Sequence, residues 1–174
     1  MHSTYSITKA SPEHITVLPA IEAEAATLLK GYVSESILSQ VTDEEDFRIA
    51  QQEDRLWVAL TEEKIPIGFA LIEILDADHI HLGEIDVHPD HGRRGLGKAL
   101  VTAICEWASR SKYSQVTLTT FRDVPWNSPF YARLGFQVIP TQELGPKLLE
   151  IMHDEAARGL DINRRVAMKY RCTA

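Results

Sequence analysis

Between Glu84 and Leu100 the chain reads EIDVHPDHGRRGLGKAL. A β-compatible segment ends at Pro89, a glycine-bearing turn follows, and an amphipathic helix begins. The first turn of a helix leaves backbone N–H groups without partners, and the macrodipole draws anions to that end. Gly95 and Gly97 permit close backbone approach, and Arg93, Arg94 and Lys98 add positive charge in an otherwise acidic chain. With Gly92 and Leu96 completing the turn, residues 92–98 form a candidate pyrophosphate cradle. The plainer alternative is a tight strand-to-helix turn carrying surface arginines. No Gly-Lys-Ser/Thr follows as in a Walker loop, and the glycines run in the opposite order to G-x-G-x-x-G.

Two motifs make the pattern specific. The VHP strand end followed by GRRGLG resembles the acyl-CoA signature of GNAT acetyltransferases, Q/R-x-x-G-x-G/A after V-x-P; Gly92 stands where that family prefers glutamine or arginine. NSPFYARLGF is similar to the family's later Y-x-x-x-G-F element, with Tyr131, Gly135 and Phe136 in register, while Val124 occupies the family's usual asparagine slot. The resemblance runs from Leu56 to Phe136. It implies a ternary complex in which an amine attacks acetyl-CoA directly, with no metal. It also implies that the strand ending at Val87 splays from its neighbour beside Tyr131. The 85–87 backbone (Ile85, Asp86, Val87) would hold the pantetheine arm, residues 92–98 the pyrophosphate, and Asn127 and Phe130 would join Tyr131 around the cofactor. The Val87 N–H would polarise the thioester carbonyl.

Under the same resemblance Tyr131 is the candidate general acid for the departing thiolate, against a packing role on the sheet. Three readings compete for the base: Glu84 acting through water, His81, or neither, with water or a residue elsewhere taking the proton. Strict alternation places Glu84 and His81 on opposite faces of one strand, and only a bulge would bring them together. His79 and His88 read as solvated or turn residues, and His91 as a loop shaper. Trp126 and Phe130 are core aromatics or pocket walls. Glu22 and Glu24 are expected on a solvated helix face, with cation binding as the second reading.

These residues need elements to position them. Residues 4–9 read as a strand, Ser11-Pro12 as a helix start, Ile21–Leu29 as helix with Pro19 restarting it, and Thr42 with Glu45 as a capping box. Apolar strands are expected at Leu56–Leu60, Ile67–Leu75 and His79–His88. The stripe Leu96, Leu100, Ile104, Ala108 predicts a helix with one buried face. Val116–Phe121 is a strand, Ser128-Pro129 opens a short helix stopping at Gly135, FQVIP is a strand, 144–157 a helix and RRVAMKY a closing strand. The class is α+β, or mixed α/β, and the resemblance makes it a mostly antiparallel sheet with splayed central strands flanked by helices.

The 174 residues fit a single domain, 1–174, and 44% hydrophobic with 25% charged residues is ordinary globular composition. A formal net charge of −7 argues against nucleic acid and mildly favours a cationic ligand. Cys105 and Cys172 form no framework, and no apolar run approaches a membrane span, so a cytoplasmic chain with no membrane partner is expected. The expected activity is acetyl transfer to a primary amine of a small molecule, by a monomer or homodimer. The alternatives are a protein or peptide acetyltransferase and, in another class, a non-catalytic acyl-CoA sensor. The 144–157 helix would cover the acceptor or extend a dimer.

Overall fold

The computed structural model describes residues 4–173. Seven strands form one sheet: β1 (Tyr5–Lys9), β2 (Leu56–Thr61), β3 (Pro66–Ile74), β4 (His79–Val87), β5 (Gln115–Phe121), β6 (Gln137–Val138) and β7 (Arg165–Arg171). Their order is β1-β2-β3-β4-β5-β7-β6. Only β4 and β5 run parallel; every other neighbouring pair is antiparallel. The α+β architecture with a mostly antiparallel sheet is therefore as the sequence predicts.

Among the described residues six α-helices flank the sheet: α1 (Leu18–Ala26), α2 (Glu35–Leu38), α3 (Glu44–Gln52), α4 (Leu96–Arg110), α5 (Ser128–Arg133) and α6 (Pro146–Ala157). Strand alternation sorts the apolar side chains between two faces. On one face Trp57, Ala70, Ile72, Ile80 and Leu82 bury against the α4 stripe of Leu96, Leu100, Ile104 and Ala108. On the other, Leu56, Val58, Leu60 and Phe69 meet Ile15, Leu18, Ile21 and Phe47 of the N-terminal helices. A third cluster, Ile139, Leu148, Met152 and Ala167, seats α6 beside them.

Two local readings change. Ser11-Pro12 opens a 3-10 turn, Pro12–Val17, and α1 restarts at Leu18 with Pro19 in its first turn. Thr42 caps no helix: the N-cap of α3 is Asp43, and Thr42 bonds Glu22 instead. A buried carboxylate is a stronger acceptor for that N–H and hydroxyl than a helix end already facing water.

Candidate active site

The β4–β5 pairing starts at His79↔Gln115 and ends at Leu82↔Leu118. Beyond it β5 stays with β7 as far as Phe121↔Arg165, and β4 stays with β3 as far as Val87↔Gly68. The two central strands thus part, and β4 has no strand partner on the β5 side from Gly83 to Val87. His88 donates its N–H to Ile67 at 2.8 Å, so alternation along an antiparallel ladder turns the N–H and C=O of Ile85 and Val87 towards the gap. Gly68 across from Val87 lets the strands lie close: a Cβ there would come within 3.0 Å of the Asp86 carbonyl.

A bulge decides what faces the gap. Leu71 pairs with Glu84 and Ile72 with Leu82, which leaves Gly83 out of register. One extra residue shifts the alternation, so His81, Glu84 and Asp86 come to one face, beneath α1 and α6. The bulge aligns the two base candidates without bringing them together. Glu84 lines a cleft of about 970 Å³ that also touches Asp86, Val87, Gly92, Arg93, Asn127 and Tyr131. His81 is 3% exposed, and its Nδ1 lies 2.9 Å from Thr117 Oγ1. Burial, with a smaller contribution from Arg165, pushes its pKa down to about 4 against the opposing charge of Glu155. Far from being an open base, His81 is a neutral buried imidazole.

Glu22 joins the cleft contrary to expectation. It is 8% exposed, whereas Glu24 faces solvent as expected. One oxygen each of Glu22, Glu84 and Asp86 lie within 4.8 Å of one another, a spacing that a cation, metal or ammonium, can bridge. Burial and then the Glu22 charge raise the Glu84 pKa to about 7. Burial and the Glu84 charge hold Asp86 protonated well above the usual carboxylate range, and the two sit close enough to share a proton. Asp86 Oδ2 is sealed from water with no hydrogen-bond partner. Tyr131 is buried at the cleft wall, stacked edgewise on Phe130 and Phe136. Burial, then the charges of Glu84 and Asp86, push its phenol pKa upward, so the hydroxyl stays a donor.

At the other end, Gly95 is the N-cap of α4 with φ +78°, a left-handed conformation natural to glycine. The first intrahelical bond runs from Ala99 N–H to the Gly95 carbonyl at 2.9 Å, leaving the N–H groups of Leu96, Gly97 and Lys98 without helix partners. A Cβ on Gly95 would meet nothing within 4 Å, so open space lies in front of this helix end. Phe130 packs 3.5 Å from where a Gly97 Cβ would sit, tying α5 to α4. Arg93 borders the cleft. Arg94 donates instead to the Tyr5 hydroxyl, which also bonds His91 Nδ1 at 3.2 Å, so Arg94 and His91 brace the loop. His79 pairs with Asp76, and His88 accepts from Asp90 in the turn after β4. Trp126 stands at the cleft mouth, 44% exposed and edgewise on Tyr32.

Sequence reasoning gave Glu22 cation binding only as a second reading and took Asp86 for its backbone alone. A signal for Glu22 existed: Leu18, Ile21, Glu22 and Ala25 form the i, i+3, i+4, i+7 stripe that α1 buries, with one acid among apolar residues. Asp86 follows Glu84 at the two-residue period of a strand.

The chain belongs to the GNAT acetyltransferase family, whose model, "Acetyltransferase (GNAT) family", matches residues 24–136. It is 26% identical over 127 residues to human N-acetyltransferase 8, a match that covers 71% of this chain and 56% of that protein. Its fold superposes with a TM-score of 0.72 on the PaiA N-acetyltransferase of Thermoplasma acidophilum in complex with coenzyme A, at 16% identity and covering 97% of this chain and 99% of that one. N-acetylglutamate synthase of Neisseria gonorrhoeae, solved with coenzyme A and N-acetyl-glutamate, superposes equally well (0.72) at 17% identity over 100% of this chain and 36% of that one. The chain thus spans little more than half the length of the first relative and about a third of the last. Among the described residues no helix is long and apolar enough to cross a membrane.

Proposed function

We propose that this protein transfers acetyl from acetyl-CoA to a primary amine of a small molecule, by direct attack in a ternary complex. The observation that carries this reading is that one cleft joins the open β4 edge at Ile85 and Val87, the Tyr131 phenol and the Glu84 carboxyl. The thioester supplies the activated acetyl group. The β4 edge extends the pantetheine arm as an added strand, and the free N–H groups at the start of α4 with Arg93 take the pyrophosphate. Val87 N–H donates to the carbonyl oxygen as it gains charge.

Glu84 accepts the proton that the ammonium must lose, and a pKa near neutrality suits that task. The amine nitrogen then bonds the acetyl carbon, the carbon–sulfur bond breaks, Tyr131 donates its proton to the leaving thiolate, and the second proton, shed by the nitrogen as it becomes an amide, replaces the one Tyr131 gave. Proton capture by Glu84 removes one of the negative charges that hold the phenol's proton. Acceptance at one end therefore assists donation at the other. Family likeness and the CoA-bound neighbours support the same co-substrate.

Thiol release from acetyl-CoA, followed across a panel of polyamines, amino acids, aminoglycosides, aromatic amines and peptides, tests the reading. Acetylated small amine with stoichiometric thiol is the expected result. Tight acetyl-CoA binding with no acceptor-dependent release would leave a sensor, and release with peptides alone would leave a peptide acetyltransferase.

A further inference from the structure

The cleft has a second pole that amine chemistry alone does not use. Besides the three carboxylates it is lined by Arg158, at the C-terminal end of α6, and Arg165, at the start of β7. Arg165 is almost enclosed, its side chain 11% exposed. Its Nε donates to Glu155 at 3.1 Å and its Nη2 to Thr119 at 3.1 Å, and Thr119 in turn bonds Glu155. Glu155 and Thr119 therefore fix the guanidinium plane over the Phe121 ring, and among the described residues none takes Nη1. Arg158 is held by its backbone: its N–H caps α6, and its carbonyl accepts from Gln40 Nε2 at 3.1 Å across the cleft. Its guanidinium makes no ion pair or hydrogen bond among the described residues. Both arginines are near enough to Glu84 to lower its pKa, yet neither pairs with Glu84, Asp86 or Glu22.

We infer that the acceptor is two-ended: its ammonium docks among Glu22, Glu84 and Asp86, and a carboxylate on the same small molecule is held by Arg158 and the free edge of Arg165. This rests on the acetyltransferase reading above. An acceptor with only an amine would bring a cation towards two arginines and leave their donors unanswered as the cleft fills. Unpaired charge in a desolvated site weakens binding more than a made pair strengthens it. A zwitterion answers both poles, and the planar guanidinium fork matches a carboxylate in two parallel hydrogen bonds. A free amino acid, or a compound with the same two groups, has the required chemistry. A peptide N-terminus does not, because amidation has removed the nearby negative charge.

The experiment measures acetyl-CoA thiol release with the proteinogenic amino acids, their α-amides and the corresponding amines lacking the carboxyl group. At least one free amino acid should exceed its own amide and amine by about 30-fold or more in kcat/KM. Arg158→Ala should shrink that ratio at least about tenfold, chiefly through KM for the acid, and Arg158→Lys should restore part of it. Arg158 is exposed, and thermal melting checks that the variants fold. Amides or amines that equal the acids would overturn the two-ended acceptor while leaving the acetyltransferase in place. A preference untouched by Arg158→Ala would overturn it too. Thiol release with polyamines, aminoglycosides or peptides but with none of the three sets would overturn the two-ended acceptor alone, and release with no acceptor at all, with acetyl-CoA bound, would remove the acetyltransferase reading itself.

Discussion

The backbone N–H and the hydroxyl of Thr42 both donate to the Glu22 carboxylate, at 2.8 Å to Oε2 and 3.1 Å to Oε1. These bonds oppose the upward push that burial gives the Glu22 pKa. They hold the carboxylate in place beside Glu84 and Asp86. Thr42→Val keeps the side-chain shape and removes one of the two bonds. At about 1 kcal/mol for one such bond, KM for the amine should rise roughly fivefold with acetyl-CoA affinity unchanged. Steady-state kinetics against both substrates checks this, and an unaltered amine KM would detach Glu22 from acceptor binding.

That contact also marks where the sequence stopped being legible. The end of β4, the turn and the start of α4 could be read because they lie within one local stretch, 84–100. The sheet could be read because the periods change cleanly from helix to strand after Gln52. Glu22 could not be placed so simply, since its burial depends on α1 lying over β3 and β4, strands that come far later in the chain. Thr42 likewise shows a capping pattern whose local choice loses to a distant carboxylate. A bulge in β4 was open as the way to bring His81 and Glu84 to one face, but where it falls, at Gly83, is a matter of register with β3. Arg158 and Arg165 carried no local signal; α6 and β7 bring them to the cleft only in the folded chain.

The cradle assignment predicts a loss of cofactor affinity in Gly95→Asp. The substitution puts a Cβ at φ +78° and a carboxylate into the open space before the α4 N-terminus. Acetyl-CoA Kd should rise at least about tenfold, or ~1.4 kcal/mol. Calorimetry on folded protein measures it, and unchanged affinity would mean that the phosphates lie elsewhere.

Removing only the phenolic oxygen isolates the general acid. Tyr131→Phe retains the edgewise packing on Phe130 and Phe136. kcat should fall roughly 100-fold while acetyl-CoA affinity stays within a few-fold. Near-normal kcat, measured where chemistry limits the rate, would return Tyr131 to packing.

The base is tested by pH. A catalytic carboxylate must be ionised, so with Glu84 shifted to about 7 the kcat/KM profile should climb through a limb near neutrality and flatten above it. His81, held neutral with a pKa near 4, gives no limb there. Glu84→Gln should abolish the limb and lower the rate by roughly 10²–10⁴-fold. An acceptor whose own pKa lies near 7 should lose less, because more of it arrives unprotonated. His81→Asn should leave the limb where it is. Stability supplies an independent readout with a definite sign. The folded pKa of Glu84 lies above its ordinary value of 4.5, so the folded state binds more protons than the unfolded one between about pH 4.5 and 7. Stability is then full below about 4.5 and is lost as pH rises through 7. Glu84→Gln carries no such penalty, and its Tm should exceed that of the unmodified protein at pH 8, by roughly 2–4 °C for each kcal/mol relieved, with the gap closing at pH 4. A limb that survives Glu84→Gln but moves in His81→Asn would transfer the base to the histidine. A Tm gap independent of pH would show that Glu84 is not held near neutrality by its surroundings.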